Sequence, residues 1–148
     1  MTWDKEFLNT MSKEEAFRLL DAQGKFRKDL QKSRYWMLDE STGEYGWFWD
    51  IQGVKPRIVA ACNRWKDVYF IASRHSSDVM TTQQLLYGGI HVLHEYAGED
   101  HDQGFIDQFD VFHTREQAAI IAKENGQLFR ADRDDRHVGN NLFSEDLY

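Results

Sequence analysis

Proline and cysteine occur once each, as Pro56 and Cys62, in a chain of 148 residues. A lone cysteine makes no internal disulfide, and beside the apolar residues before it Cys62 reads as a buried, unreactive thiol in a reducing compartment. Long hydrophobic runs are missing too. Stretches such as 58–63 and 68–73 fall far short of the ~20 apolar residues of a membrane helix, so no bilayer crossing is expected. The opening residues Met1-Thr2-Trp3-Asp4-Lys5-Glu6 lack the basic and apolar segments of an export signal, which points to a cytoplasm. Positive charge is scarce: 18 Lys and Arg stand against 25 Asp and Glu, a formal charge of −7. The imbalance is regional, with ten basic and ten acidic side chains in residues 1–57 but eight and fifteen in 58–148. Without a basic stripe to displace counterions, nucleic acid is excluded as an expected partner. A local cluster of arginines can still hold a small anion. No phosphate-binding glycine loop, dinucleotide fingerprint or nucleophile elbow occurs, which disfavours most familiar enzyme classes.

Aromatic and apolar residues are plentiful, at 14% and 41%, and suffice for one core. Ser12-Lys13-Glu14-Glu15 is a capping box that predicts a short helix with Phe17 and Leu20 inward and Gly24 as its stop; a weaker helical piece covers 26–30. Tyr35-Trp36-Met37-Leu38 and Trp47-Phe48-Trp49-Asp50-Ile51 predict a hairpin around turn formers at 39–46. Pro56 marks an internal boundary, dividing a 1–56 extension from a 57–148 module. A second hairpin is expected from 57–62 and 68–72, turning through 63–67. Ser76 or Ser77 then caps a helix with Met80 and Leu86, closed by Gly88-Gly89. A short strand is expected at 90–93, then an acidic loop at 95–102. A small hairpin places Phe105-Ile106 opposite Val111-Phe112. Thr114-Arg115-Glu116-Gln117 is another capping box, opening a helix with Ala118, Ile121 and Ala122 inward that stops at Asn125-Gly126. Residues 130–141 read as a mobile charged loop. The expected class is α+β: an antiparallel sheet of hairpins with helices on one face, preceded by a helix and an aromatic hairpin.

Ser73-Arg74-His75-Ser76-Ser77 joins a strand end to a helix start, where free amides and the helix dipole favour an anion. Arg74 could fork onto a phosphate and His75 could donate or switch charge near neutrality; the plainer alternative is a helix cap with Arg74 paired to a carboxylate. Thr114 and Arg115 repeat the arrangement at the next helix start. His91, His94, Glu95, His101 and Asp102 have metal-ligand chemistry. A strand at 90–93 would point His91 and His94 to opposite faces, however, so they read as solvated histidines with no metal. Six aromatics in residues 35–49 could pack on the first helix or form a contact surface.

The ordered series Ile58-Val59-Ala60-Ala61-Cys62-Asn63-Arg64, Ala72-Ser73-Arg74-His75, Gln103-Gly104-Phe105-Ile106-Asp107, Thr114-Arg115-Glu116-Gln117-Ala118, Ile121-Ala122-Lys123-Glu124-Asn125-Gly126-Gln127 and Leu142-Phe143-Ser144-Glu145-Asp146-Leu147-Tyr148 resembles a module of small bacteriophage accessory proteins. The resemblance covers residues 57–148. It extends to phage anti-defence proteins of the anti-Thoeris type, and so implies an oligomeric, noncatalytic binder of cyclic ADP-ribose or cyclic oligonucleotide signals in the infected cell. It supplies no site residues. Those follow from chemistry: Arg74 and Arg115 as phosphate ligands, His75, Ser76, Ser77 and Thr114 beside them, and Phe105 next to a flexible Gln103-Gly104 as a stacking surface for a base. No cofactor is expected. The rival readings are an acidic, aromatic inhibitor of a host protein and a small nucleotide hydrolase working through His75 or the histidine loop.

Overall fold

The computed structural model describes residues 11–128 and 141–147, the side chains of residues 32–35 and 49 excepted. The Ser12 hydroxyl accepts the Glu15 amide at 3.1 Å and starts helix α1 (Lys13–Tyr35). The helix does not stop at Gly24, and the separate piece expected at 26–30 is part of it. Ala16, Leu20 and Gly24 recur at four-residue steps on one buried stripe. A Cβ on Gly24 would lie 3.1 Å from the Asp67 Cβ, so this glycine serves close approach rather than termination. A polar stripe one position away binds the sheet: the Gln23 side chain accepts the Tyr69 amide, Arg27 pairs with Asp110, and Gln31 donates to the Asp110 carbonyl.

The aromatic hairpin exists but is shorter than expected, with β1 (Trp36–Asp39) opposite β2 (Glu44–Trp47). Its turn is fastened by the Asp39 carboxylate, which accepts the Ser41 amide and hydroxyl. Instead of a strand to residue 51, Phe48–Gln52 forms the one-turn helix α2, ended by Gly53 at φ 69°.

β3 (Ile58–Trp65) continues through the polar stretch expected to be a turn, which shrinks to Lys66-Asp67. It lies beside β4 (Val68–Ala72). Two eight-residue helices follow, α3 (Asp78–Leu85), capped by Ser77, and α4 (Ile90–Ala97). The expected strand at 90–93 is thus corrected to a helix: Leu93, Tyr96 and Ala97 recur at helical spacing and are buried against the sheet. The expected acidic loop is divided, since Glu95 belongs to α4 while His101 and Asp102 begin β5 (His101–Asp107). β6 (Phe112–Thr114) and α5 (Arg115–Glu124) complete the series, α5 with both halves of its capping box formed. A 3-10 turn (Ser144–Asp146) closes the described chain. Of the charged segment expected at 130–141, all but the last residue lies outside the described residues.

The main sheet is antiparallel in the order β4-β3-β5-β6, and the protein is α+β as expected. Two apolar clusters lie on the face that carries Ala61, Trp65, Phe70 and Phe105. One joins Trp65 and Phe70 to Leu20, Met80 and Leu93; the other joins Ala61 and Phe105 to Ala118, Ala122 and Leu142. Leu20 therefore ties α1, from the expected extension, into the core of the module. Farther along, Arg27 covers the Tyr69 ring at 4.5 Å, so α1 passes the β4 edge from one face of the sheet towards the other. That edge is closed by side chains: besides Gln23 on the Tyr69 amide, Gln83 donates to the Ile71 carbonyl at 2.8 Å.

Candidate functional site

Three chain segments meet above the β3–β5 pair: the link from β4 to α3, the start of α5, and the tail at 142–147. Between them lies a cavity of about 450 Å³ lined by Arg74, His75, Ser76, Ser77, Gln103, Arg115, Phe143, Ser144 and Glu145. The structure thus brings together six of the nine residues expected at a binding site. Both arginines are anchored by the tail. Arg74 Nη1 donates to the Ser144 carbonyl at 2.5 Å. Arg115 Nη1 donates to the Leu142 carbonyl at 2.8 Å and Nη2 to Gln103 Oε1 at 3.0 Å, with the guanidinium over the Phe143 ring at 4.9 Å. These neutral acceptors orient the guanidinium of Arg115 without neutralising it. Burial works against its charge, while Glu145 and Asp102 support it. Glu145, on the cavity wall, offsets part of the positive field.

His75 is buried, with its ring edge on Phe105. Its Nε2 lies 2.7 Å from the Gly104 carbonyl, which can only accept, so Nε2 carries a proton. Burial lowers the His75 pKa from 6.5, the Gly104 bond partly opposes that, and the positive charge of Arg115 adds to the lowering. A neutral imidazole is the consequence near pH 7. Ser76 stands exposed at the rim, whereas the Ser77 hydroxyl is committed to capping α3 through the Met80 amide and to the Arg74 carbonyl.

The remaining expected site residues serve the fold. Phe105 is 0% exposed in the second apolar cluster, which corrects its expected stacking role: no base can reach a ring enclosed by the core. Gly104, expected to be flexible, is fixed in β5, where an added Cβ would meet the His113 carbonyl at 2.2 Å. Thr114 caps α5 by accepting the Gln117 amide, and lines a smaller hollow of about 290 Å³ that it shares with Arg115 and Asp102.

The histidine series is also placed differently. His91 and His94 are i, i+3 neighbours on α4, so strand alternation is not what separates them. His94 meets Trp65 and His101 edge-on at 4.9 Å each, and His101 stacks on Trp65 at 4.8 Å. Among the described residues no group of three His, Cys, Asp or Glu side chains is placed to hold a metal ion. Cys62 is buried, and burial pushes its thiol pKa far up, which makes it a poor nucleophile. No described helix is long and apolar enough to cross a membrane.

Sequence reasoning missed the tail. Leu142 reads as one more apolar residue, yet it fills the second cluster and positions Phe143, Ser144 and Glu145 at the cavity. The buried Asp146 accepts the Phe143 amide and holds that turn. Two signals were available: the place of 142–148 in the series shared with the phage module, and Ser144-Glu145-Asp146, a helix-start composition after an apolar pair.

Compared with known proteins, residues 57–148 match the family described as Phage T4 y16D protein. No curated protein and no solved structure matches the chain. The matched span holds every residue of the cavity.

Proposed function

Starting from the fact that the chain belongs to the Phage T4 y16D protein family, we propose that it is a noncatalytic phage anti-defence protein, acting in the cytoplasm of the infected cell by sequestering a nucleotide-derived signal. One observation carries the reading: Arg74 and Arg115, from separate elements, flank a single cavity of the size of a small ligand. The Ser73-Arg74-His75-Ser76 link before α3 adds polar groups at its wall, and Gln103 fixes one guanidinium. Such a pair can bind a phosphate from two sides through charge-assisted hydrogen bonds. His75, its Nε2 proton engaged with the Gly104 carbonyl, lines the cavity as a neutral ring and leaves the charge on the ligand to the two arginines. The anti-Thoeris resemblance suggests cyclic ADP-ribose isomers or cyclic oligonucleotides as ligands, and an assembly of more than one copy.

Calorimetric titration against inorganic pyrophosphate, cyclic ADP-ribose isomers and cyclic dinucleotides tests the proposal. Arg115→Gln and Ser76→Asp should each weaken binding about ten- to hundredfold, the first by removing charge-assisted bonds worth about 1.5–3 kcal/mol and the second by placing a carboxylate at the rim. Ser76 is exposed and away from the tail contacts, so its variant controls for a tail loosened in Arg115→Gln. Lack of binding to every member of the panel would remove the proposal.

A second reading has its own observation. Trp36, Leu38 and Tyr45 of the β1–β2 hairpin are exposed, as an aromatic contact with a host protein would require. A protein that binds no anion but forms a stoichiometric complex lost on Tyr45→Ala would favour it.

A further inference from the structure

Beside the arginine cavity, and sharing His75, Ser76 and Gln103 with it as walls, lies a second cavity of about 330 Å³. Its floor is an amide network whose atom assignment follows from chemistry alone. The Trp65 indole can only donate, so the Gln84 atom 3.4 Å from it is the carbonyl oxygen. The Asn63 atom 3.1 Å from that oxygen must then be Nδ2, which also donates to the His75 carbonyl at 3.2 Å. Asn63 Oδ1 is the atom left over. It is an acceptor on a side chain only 5% exposed, and it has no hydrogen-bond partner among the described residues. A buried amide oxygen without a protein donor is costly and uncommon, and it is free to accept an N–H or O–H.

We propose that this second cavity receives the N–H-bearing heterocycle of a ligand whose phosphate lies between Arg74 and Arg115, with Asn63 Oδ1 accepting from the base. The proposal deepens the phosphate-binding reading and rests on it. The shared walls His75, Ser76 and Gln103 stand where the sugar linking base and phosphate would pass. Trp65 and His101, stacked on each other at the far wall, supply an aromatic boundary for a flat ring. The class selected is a nucleotide whose base donates a hydrogen bond, because Oδ1 can only accept and gains no bond from a base without a donor.

The test titrates inorganic pyrophosphate, ADP, GDP, CDP, UDP and purine riboside 5′-diphosphate, whose base has no N–H, into the full chain. At least one of the four natural diphosphates should bind about tenfold or more tighter than both pyrophosphate and the purine riboside control. That margin should vanish in Asn63→Leu while pyrophosphate affinity persists. If Asn63→Leu fails to fold, the ligand series with the unaltered chain decides by itself. Equal affinity for the natural nucleotides and the purine control overturns the inference while leaving the phosphate site standing, and is also the result if a buried water satisfies Oδ1. Absence of binding to any of the six, pyrophosphate included, overturns the phosphate reading and this inference with it.

Discussion

His75 illustrates how far a single residue could be read in advance. Its place before a helix start was legible, because serines after a strand end are a strong local signal, and the cavity there contains the expected Arg74, His75, Ser76 and Ser77. Its state was not legible, since burial and the bond to the Gly104 carbonyl depend on a strand distant in sequence. That state sets a pH dependence. Burial holds the folded-state pKa below the 6.5 of the unfolded chain, so the unfolded state takes up the proton first as pH falls. Stability linked to His75 is complete above about pH 6.5 and is lost as pH drops towards the lowered folded value. Melting temperatures between pH 7.5 and 5 should therefore fall more steeply for the unaltered chain than for His75→Gln; parallel curves would refute the assignment. Gly104 makes the complementary case. A glycine before an aromatic suggests flexibility, but here it removes a Cβ that would strike the His113 carbonyl and the Phe112 ring. Gly104→Ala should cost about 3 kcal/mol or more, at the upper end of overpacking effects, and chemical denaturation would measure it.

Elements were most legible where their ends carry side-chain signals. Both capping boxes marked true helix starts, as Ser12 and Thr114 show. Failures arose where tertiary contact overrides local pattern. Residues 90–93 have strand-like composition, but Leu93, Tyr96 and Ala97 find apolar partners only as a helix. The polar Asn63 and Arg64 looked like a turn, yet they continue β3 because Gln84 and Asp100 are placed to pair with them. Gly24 looked like a stop and is a contact point instead. Helix propensity alone would make Gly24→Ala stabilising by up to about 1 kcal/mol. With Asp67 so close, we expect that gain to be largely cancelled and Gly24→Leu to be clearly destabilising, both readable by thermal unfolding. A full propensity gain in Gly24→Ala would show that α1 is free to move off the β3–β4 turn.

For the whole molecule, composition and hairpin signals were enough for the α+β class, while the relation between the first 56 residues and the rest was hidden. Nothing local in Leu20 says that it enters a cluster with Trp65, Val68 and Phe70. The family match begins at residue 57, but α1 fills that cluster and grips the β5–β6 turn through Arg27 and Asp110. A 57–148 fragment would expose the apolar surface that Leu20 and Phe17 cover. It should unfold with lower cooperativity and bind a hydrophobic dye, whereas a sharp transition at the full chain's melting temperature would show that the module stands alone.

Gln23 and Gln83 have a consequence for the company this protein keeps. Unpaired strand edges invite further strands, whether from a neighbour, a stray peptide or a growing fibril. At β4 the two glutamines already occupy groups that such an intruder would need, and β6 at the other edge offers only three residues. The sheet therefore extends no ready template along its backbone. Replacing both glutamines by alanine should leave the fold recognisable but make concentrated samples prone to β-rich aggregation, visible by amyloid-dye fluorescence. In the unaltered chain, association is left to side chains, which discriminate among partners where a bare peptide edge does not.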